Sequence, residues 1–154
     1  MIQAVGPVLQ EYPFFSGLSE AHLKLITANA RDVELPEGHC IFREGDPANE
    51  FYVIHQGLVS VELVIANRGL STLQTVDKGE VLGWSWISPP YRWHFTARTL
   101  RPTHALVLDA HWLRAQCEED HDLGYEMLKR LVNMIAARLD ATCLQLQDVY
   151  SIRP

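Results

Sequence analysis

The chain has 154 residues, with 13 Lys and Arg against 19 Asp and Glu, which gives a net charge of −6 with neutral histidines. With 47% hydrophobic and 21% charged residues it has the composition of one globular domain that builds its own core, which excludes a disordered chain, a collagen or a small disulfide scaffold. The acidic balance argues against a surface spread over nucleic acid or anionic membrane. No apolar run approaches the roughly 20 residues of a bilayer span, and the start MIQAVGPVLQEYPFF lacks the charged-then-apolar plan of a signal peptide, so a cytoplasmic protein is expected. Cys40, Cys117 and Cys143 form no C-x-x-C pair. They are expected to be small buried hydrophobes rather than redox sensors or thiolate ligands.

Taken in chain order, the first element is a short helix over about Glu20–Asn29. Leu18, Leu23, Ile26 and Ala30 follow the helical period, Ser19 is placed to cap, and the Glu20 carboxylate suits the first turn. From Asp32 to Asp109 the pattern changes to short runs rich in Val, Ile, Leu, Phe and Thr. Glycines, prolines and Asp-rich turns separate them every ten residues or so, the signature of a sandwich or barrel. Strands are expected at Asp32–Leu35, His39–Phe42, Glu50–His55, Leu58–Ala66, Leu70–Val76, Phe95–Leu100 and His104–Leu108.

After Asp109 helix formers take over. A short helix over Ala110–Cys117 is expected, then a long one from Asp120 or His121 to about Tyr150. In the long helix Leu128, Val132, Ile135, Leu139, Thr142, Leu146 and Val149 are spaced by four and three in alternation, a seam of period 3.5 that suits pairing with a second helix. A second stripe, Met127, Leu131 and Met134, is expected to lie on the chain's own barrel. The seam therefore predicts a homodimer through the C-terminal helix, with Arg138 and Asp140 as charged neighbours.

The succession of a helix, a β barrel with glycine-rich turns, a short helix and a long helix resembles the cyclic-nucleotide-binding domain of catabolite-activator-type regulators, kinase regulatory subunits and gated channels. The stretches that carry the resemblance occur in order: Phe15–Ser19, Gly38 with Ile41–Asp46, Phe51–Val59 and Gly79–Gly83. They span about residues 14–150. The resemblance implies a mainly β protein, a β jelly roll (double-stranded β-helix) over about 32–109, flanked by a short N-terminal helix and by C-terminal helices over about 110–150, all within one domain, 1–154. Gly38, Gly45 and Gly57 are expected to shape the barrel rather than touch a ligand.

In this family a glycine-rich turn opens a one-turn helix whose N–H groups meet a phosphate. A glutamate after the glycine accepts the ribose hydroxyl, and a later arginine pairs with the phosphate; both contacts suit an anion. Here Gly83 matches the glycine, but Trp84 stands where the glutamate is expected. Aligning Phe95-Thr96-Ala97 with the family's strand puts Trp93 where the arginine is expected. Arg92 is one residue early, and it turns inward only if the loop after Pro89-Pro90 shifts register; the prolines are expected to end the short helix.

Two readings follow. In one, Gly83, Trp84, Ser85, Arg92, Trp93, His94, Phe95 and Thr96 line an altered pocket, its rings stacking on a planar ligand and Arg92, Arg98 or the N–H groups of Gly83–Ser85 holding an anionic group, whether of a cyclic nucleotide or another small anion. In the other, bulky rings plug the pocket and the domain is a dimeric adaptor for an unidentified protein partner.

Family regulators append a helix-turn-helix domain, but this sequence ends at Pro154, so direct DNA binding is not expected. The seven histidines include no His-x-His pair. A cupin-like metal centre is therefore a distant third reading, and no metal or cofactor is expected. No Gly-x-Ser-x-Gly, Walker loop or His-Glu-x-x-His occurs, so the protein is not expected to be an enzyme.

Overall fold

The computed structural model describes residues 6–151. Met1–Val5, on which part of the signal-peptide reading rests, lie outside the described residues. The elements are α1 (Gly6–Glu11), a 3₁₀ turn (Pro13–Phe15), α2 (Glu20–Asn29), β1 (Arg31–Leu35), β2 (Cys40–Phe42), β3 (Glu50–Gln56), β4 (Leu58–Ile65), β5 (Gly69–Asp77), β6 (Thr96–Thr99), β7 (Thr103–Asp109), α3 (Ala110–Glu119) and α4 (His121–Ser151). The expected strands are all present, with no end moved by more than one residue. Helix α1 is an addition to the expected set: six residues opening on Gly6-Pro7 are too few to show a helical period.

All strand pairs are antiparallel and form two sheets, ordered β1-β7-β3 and β2-β6-β4-β5. Phe42, Phe51, Val53, Val59, Val61, Val76, Ala97 and Leu106 belong to one buried core, with Phe15, Leu23 and Ile26 of the N-terminal segment and Met127 and Leu131 of α4. This is the expected jelly roll with flanking helices. Strand β5 is an edge. Its Gln74 pairs with Val61 and its Thr72 with Glu62, so Leu73 is a bulged residue without a partner across the ladder.

The helices start where side chains can satisfy their first N–H groups. Ser19 accepts from His22 N at 3.2 Å and Asp109 from Trp112 N at 2.9 Å. Asp120 accepts from Leu123 N at 3.2 Å and from Asp122 N at 3.1 Å, and also takes a 2.9 Å bond from His22 Nε2 that ties α2 to the start of α4. These three contacts hold the Asp120 carboxyl below its ordinary value, the His22 bond most strongly. Gly57 is structural, as expected: with φ 120°, a Cβ there would stand 2.3 Å from Thr103 Oγ1.

Helix α4 presents its two stripes as expected. Met127 and Leu131 are fully buried, with Met134 packed beside them. The seam is outside: Leu128, Val132, Leu139, Leu146 and Val149 keep 46–60% of their surface exposed. Ile135 and Thr142 depart from it, being half-buried. The Thr142 hydroxyl donates to Arg138 O at 2.9 Å and accepts from Gln74 Nε2 of β5 at 3.3 Å, so this position is turned toward the barrel.

Cys143 also departs from expectation, because its place on the outer surface of α4 leaves it exposed. Cys40 and Cys117 are half-buried. Burial, with the Asp120 and Glu118 charges adding to it, pushes the Cys117 thiol up to about 11.

Candidate functional site

The candidate pocket is built from the Gly79–Gly83 turn, the 84–95 connection and strands β2 and β6. Gly79 N donates to Ile54 O at 2.7 Å and Leu82 N to Tyr52 O at 3.0 Å, and Val81 bridges Val53, which lays the turn along β3. After Gly83 the family-like geometry stops. Ile87 N→Trp84 O, at 3.1 Å, closes one turn and Tyr91 N→Ser88 O, at 2.9 Å, a second, so Trp84–Ile87 is a turn and not the one-turn helix expected from the resemblance. Ser88 leads directly into Pro89-Pro90, which offer no N–H with which to extend it.

The segment Tyr91–Trp93 then runs beside Gly45–Ala48. Ala48 N donates to Tyr91 O at 2.7 Å, Trp93 N to Asp46 O at 2.9 Å and Gly45 N to Trp93 O at 2.8 Å, and Pro47 bridges Arg92. This extended register decides which side chain enters the barrel, since neighbours point to opposite faces. Trp93 goes in. It is 5% exposed and stacks on Phe42 with ring centroids 3.7 Å apart and planes 6° from parallel.

Arg92 goes out, so the register shift that would have turned this candidate ligand-binding residue inward does not occur. It is exposed and donates from Nη1 to Gly45 O at 2.9 Å. Trp93 also rests on Gly83: a Cβ on that glycine would stand 2.9 Å from Trp93 Cζ3. The indole thus lies against the residue whose N–H would meet a phosphate.

The other residues of the candidate set form a second aromatic group beside the first. Trp84 is half-buried, lies face to face with the exposed His94 at 5.7 Å and 22°, and meets the Phe95 ring edge-on at 5.7 Å. The buried Ser85 hydroxyl and His94 Nδ1 are hydrogen bonded at 2.8 Å. Thr96 Oγ1 accepts from Glu44 N at 3.1 Å. Gly83 meets Trp93, and Trp84, Ser85, His94 and Phe95 meet one another, while Thr96 turns to Glu44 and Arg92 stands apart. Arg98 has Nε 3.5 Å from the buried Glu62 carboxylate, so its charge is already met.

Three residues that sequence reasoning assigned to no site complete the surroundings. Arg114 of α3 donates to Trp86 O at 2.5 Å and sits over the Tyr91 ring at 4.2 Å, tying the connection to the C-terminal helices. Arg138 of α4 reaches Val81 O at 2.5 Å and Leu82 O at 3.3 Å. Gln74 donates to Arg138 O at 2.9 Å. The helical period marked Arg138 only as a neighbour of the seam; its carbonyl partners lie more than 50 residues away in sequence. Among the described residues no three His, Cys, Asp or Glu side chains group to hold a metal ion, and no helix is long and apolar enough to cross a membrane.

These features define a jelly-roll module of two antiparallel sheets closed by a long C-terminal helix. Residues 32–120 match the family model of the cyclic nucleotide-binding domain, and the chain belongs to that family. It is 23% identical, over 142 residues, to a CRP-like cAMP-activated global transcriptional regulator of Mycobacterium tuberculosis; the match takes in 92% of this chain and 62% of that protein. Among solved structures it resembles a cyclic nucleotide-binding protein of Geobacter metallireducens (26% identity, TM-score 0.79, 87% of this chain and 97% of that one). The fold is shared with a cyclic nucleotide-binding domain of Methylobacillus flagellatus (20% identity, TM-score 0.80, 96% and 83%) and with the Thermus thermophilus catabolite activator protein (23% identity, TM-score 0.72, 90% and 63%). The family is one of regulatory binding domains rather than of enzymes.

Proposed function

We propose that this is a non-enzymatic, cytoplasmic regulatory domain that pairs through α4 and does not take a cyclic mononucleotide in the family's manner. Its output is contact with another protein, not with DNA. The observation that carries this reading is Trp93, stacked flat on Phe42 and seated against Gly83. A phosphate brought to the Gly83–Ser85 N–H groups would have to displace a buried indole, whose packing is worth several kcal/mol by the cost of truncating such a ring, about 3–5 kcal/mol. Nothing at position 93 or 84 replaces the arginine and glutamate contacts. Arg92 is engaged on Gly45 O and Arg98 with Glu62.

The seam supports pairing, because five large apolar side chains in line on one helix form the kind of exposed stripe that marks an interface. The acidic charge and the regulatory family together favour a module that acts on a protein partner. Calorimetric titration with cyclic AMP and cyclic GMP tests the reading of the pocket. No heat of binding at high micromolar ligand is expected, and a saturable one-to-one isotherm in the micromolar range would overturn it.

A further inference from the structure

A cavity of about 330 Å³ opens between the Pro13–Phe15 turn, the Gly79–Val81 turn and α4, and none of the rings of the aromatic group lines it. Its walls are mostly apolar, from Phe14, Val81, Met134 and Ala137, yet two arginines of α4 also line it. Arg130 and Arg138 are eight residues apart, about 12 Å along the helix at 1.5 Å per residue, and mark the two ends of the cavity's helical wall.

Arg130 is 10% exposed, pairs with Glu126 and donates to Ser16 O at 2.7 Å. Its Nε is buried with no partner. Arg138 is mostly buried and bonds only the carbonyls of Val81 and Leu82; among the described residues no carboxylate forms an ion pair with it. The acid at the rim, Glu80, accepts from Asp77 N at 2.8 Å. A guanidinium carries five N–H donors, so two carbonyls leave several of Arg138's donors free to meet an occupant of the cavity it lines.

Burial disfavours the Arg138 charge and the exposed Glu80 at the rim offsets that only in part, so an incoming carboxylate would supply further charge and acceptors. We propose that this cavity binds a small amphipathic monocarboxylate, its carboxylate on the spare donors of Arg138 and its apolar body on Phe14, Met134 and Ala137. Its volume lies at the low end of the about 300–1,000 Å³ typical of small-ligand pockets, which suits a short-chain or single-ring acid. The apolar walls, with Glu80 and Glu126 nearby, disfavour a dianion such as a phosphate monoester. An occupant touches α4 and the barrel together, so binding adds to the stability of the docked helix by mass action.

The test is calorimetry and thermal unfolding of the full chain with sodium octanoate, with octan-1-ol as the neutral control. One octanoate per chain and a rise in unfolding temperature are expected. The alcohol should bind about tenfold more weakly or worse, having lost the charge-assisted bonds. Ala137→Phe, which fills the cavity and leaves the Arg138 bonds alone, should weaken octanoate about tenfold or more, as should Arg138→Gln; if Arg138→Gln fails to fold, Ala137→Phe decides. Octanol binding as tightly as octanoate, an Ala137→Phe protein that binds octanoate normally, or no octanoate binding at millimolar concentration would each overturn the proposal. Prior addition of cyclic AMP should leave octanoate affinity unchanged, whatever happens in the barrel; competition between them would contradict a separate site.

Discussion

Helix α4 carries two stripes that share composition and spacing but not fate. Met127 and Leu131 are sealed against the barrel and continue into polar hooks, with Arg138 on the Val81 and Leu82 carbonyls, Thr142 on Gln74 and Gln145 on Leu73 O at 2.6 Å. Leu128, Val132, Leu139, Leu146 and Val149, a quarter-turn or so away, meet solvent. The difference teaches that the helix is positioned by its own domain. The inner stripe and its hooks fix where α4 lies, and the outer stripe is then presented as a surface on which association can act without helping the domain to fold.

The largest effect expected from this contrast is on the inner stripe. Leu131→Ala should lower the unfolding free energy by about 2–5 kcal/mol, as for other buried leucines, read from urea unfolding; a loss under about 1 kcal/mol would mean that the inner stripe is not what holds the helix.

The matching change on the outer stripe should alter assembly instead. Leu139→Arg or Leu146→Arg should give monomers by light scattering where the wild type gives dimers, with stability in dilute solution changed by no more than about 0.5 kcal/mol, as for surface substitutions generally. Monomers already in the wild type would remove the pairing.

The cysteines report the same contrast chemically. Cys117, with its thiol raised from 9.0 to about 11, has about 100-fold less thiolate near pH 8 than an unshifted thiol, while Cys143 is exposed on α4. Iodoacetamide followed by peptide mass mapping should therefore label Cys143 first. Equal rates would contradict the burial of the α3–α4 joint.

The smallest effect concerns the joint's acid. The Asp120 carboxyl is held below its ordinary 3.8 by His22 and by the Leu123 and Asp122 N–H groups. A depressed carboxyl stabilises the fold above its ordinary value and loses that contribution as pH falls through the lower folded value. Asp120→Asn should therefore lower the thermal midpoint near neutrality, and the gap to wild type should close as pH drops below 3.8. A gap that stays constant down to strong acid would show that the charge has no part in it.

The fold was largely readable from the sequence because its punctuation is local: Gly57, Gly69, Gly79 and the Asp and Asn beside them mark strand ends whatever the tertiary structure does. The two stripes of α4 were readable because helical period is local too. The site was readable only in part. Trp93 could be placed by counting back from Phe95-Thr96-Ala97, but its neighbour Arg92 could not, since its direction depends on pairing with Gly45–Ala48 some 45 residues earlier. Thr142 and Arg138 were out of reach for the same reason. Their partners on β5 and at Val81 carry no signal at helical spacing, and a side chain bonding a distant carbonyl leaves no trace in periodicity.

The bulge at Leu73 has a consequence for solubility. Strand β5 ends its sheet, and the edge of a sheet is a template on which another strand can add, with unpaired backbone groups as the docking points. At the bulge the Leu73 carbonyl is met by Gln145, and Gln74 beside it holds the backbone of the same helix, so α4 acts as a guard rail along the exposed edge. Any state in which the end of the helix swings away would add this bare edge to the apolar seam that already meets solvent, and the chain would then be at its most prone to aggregate.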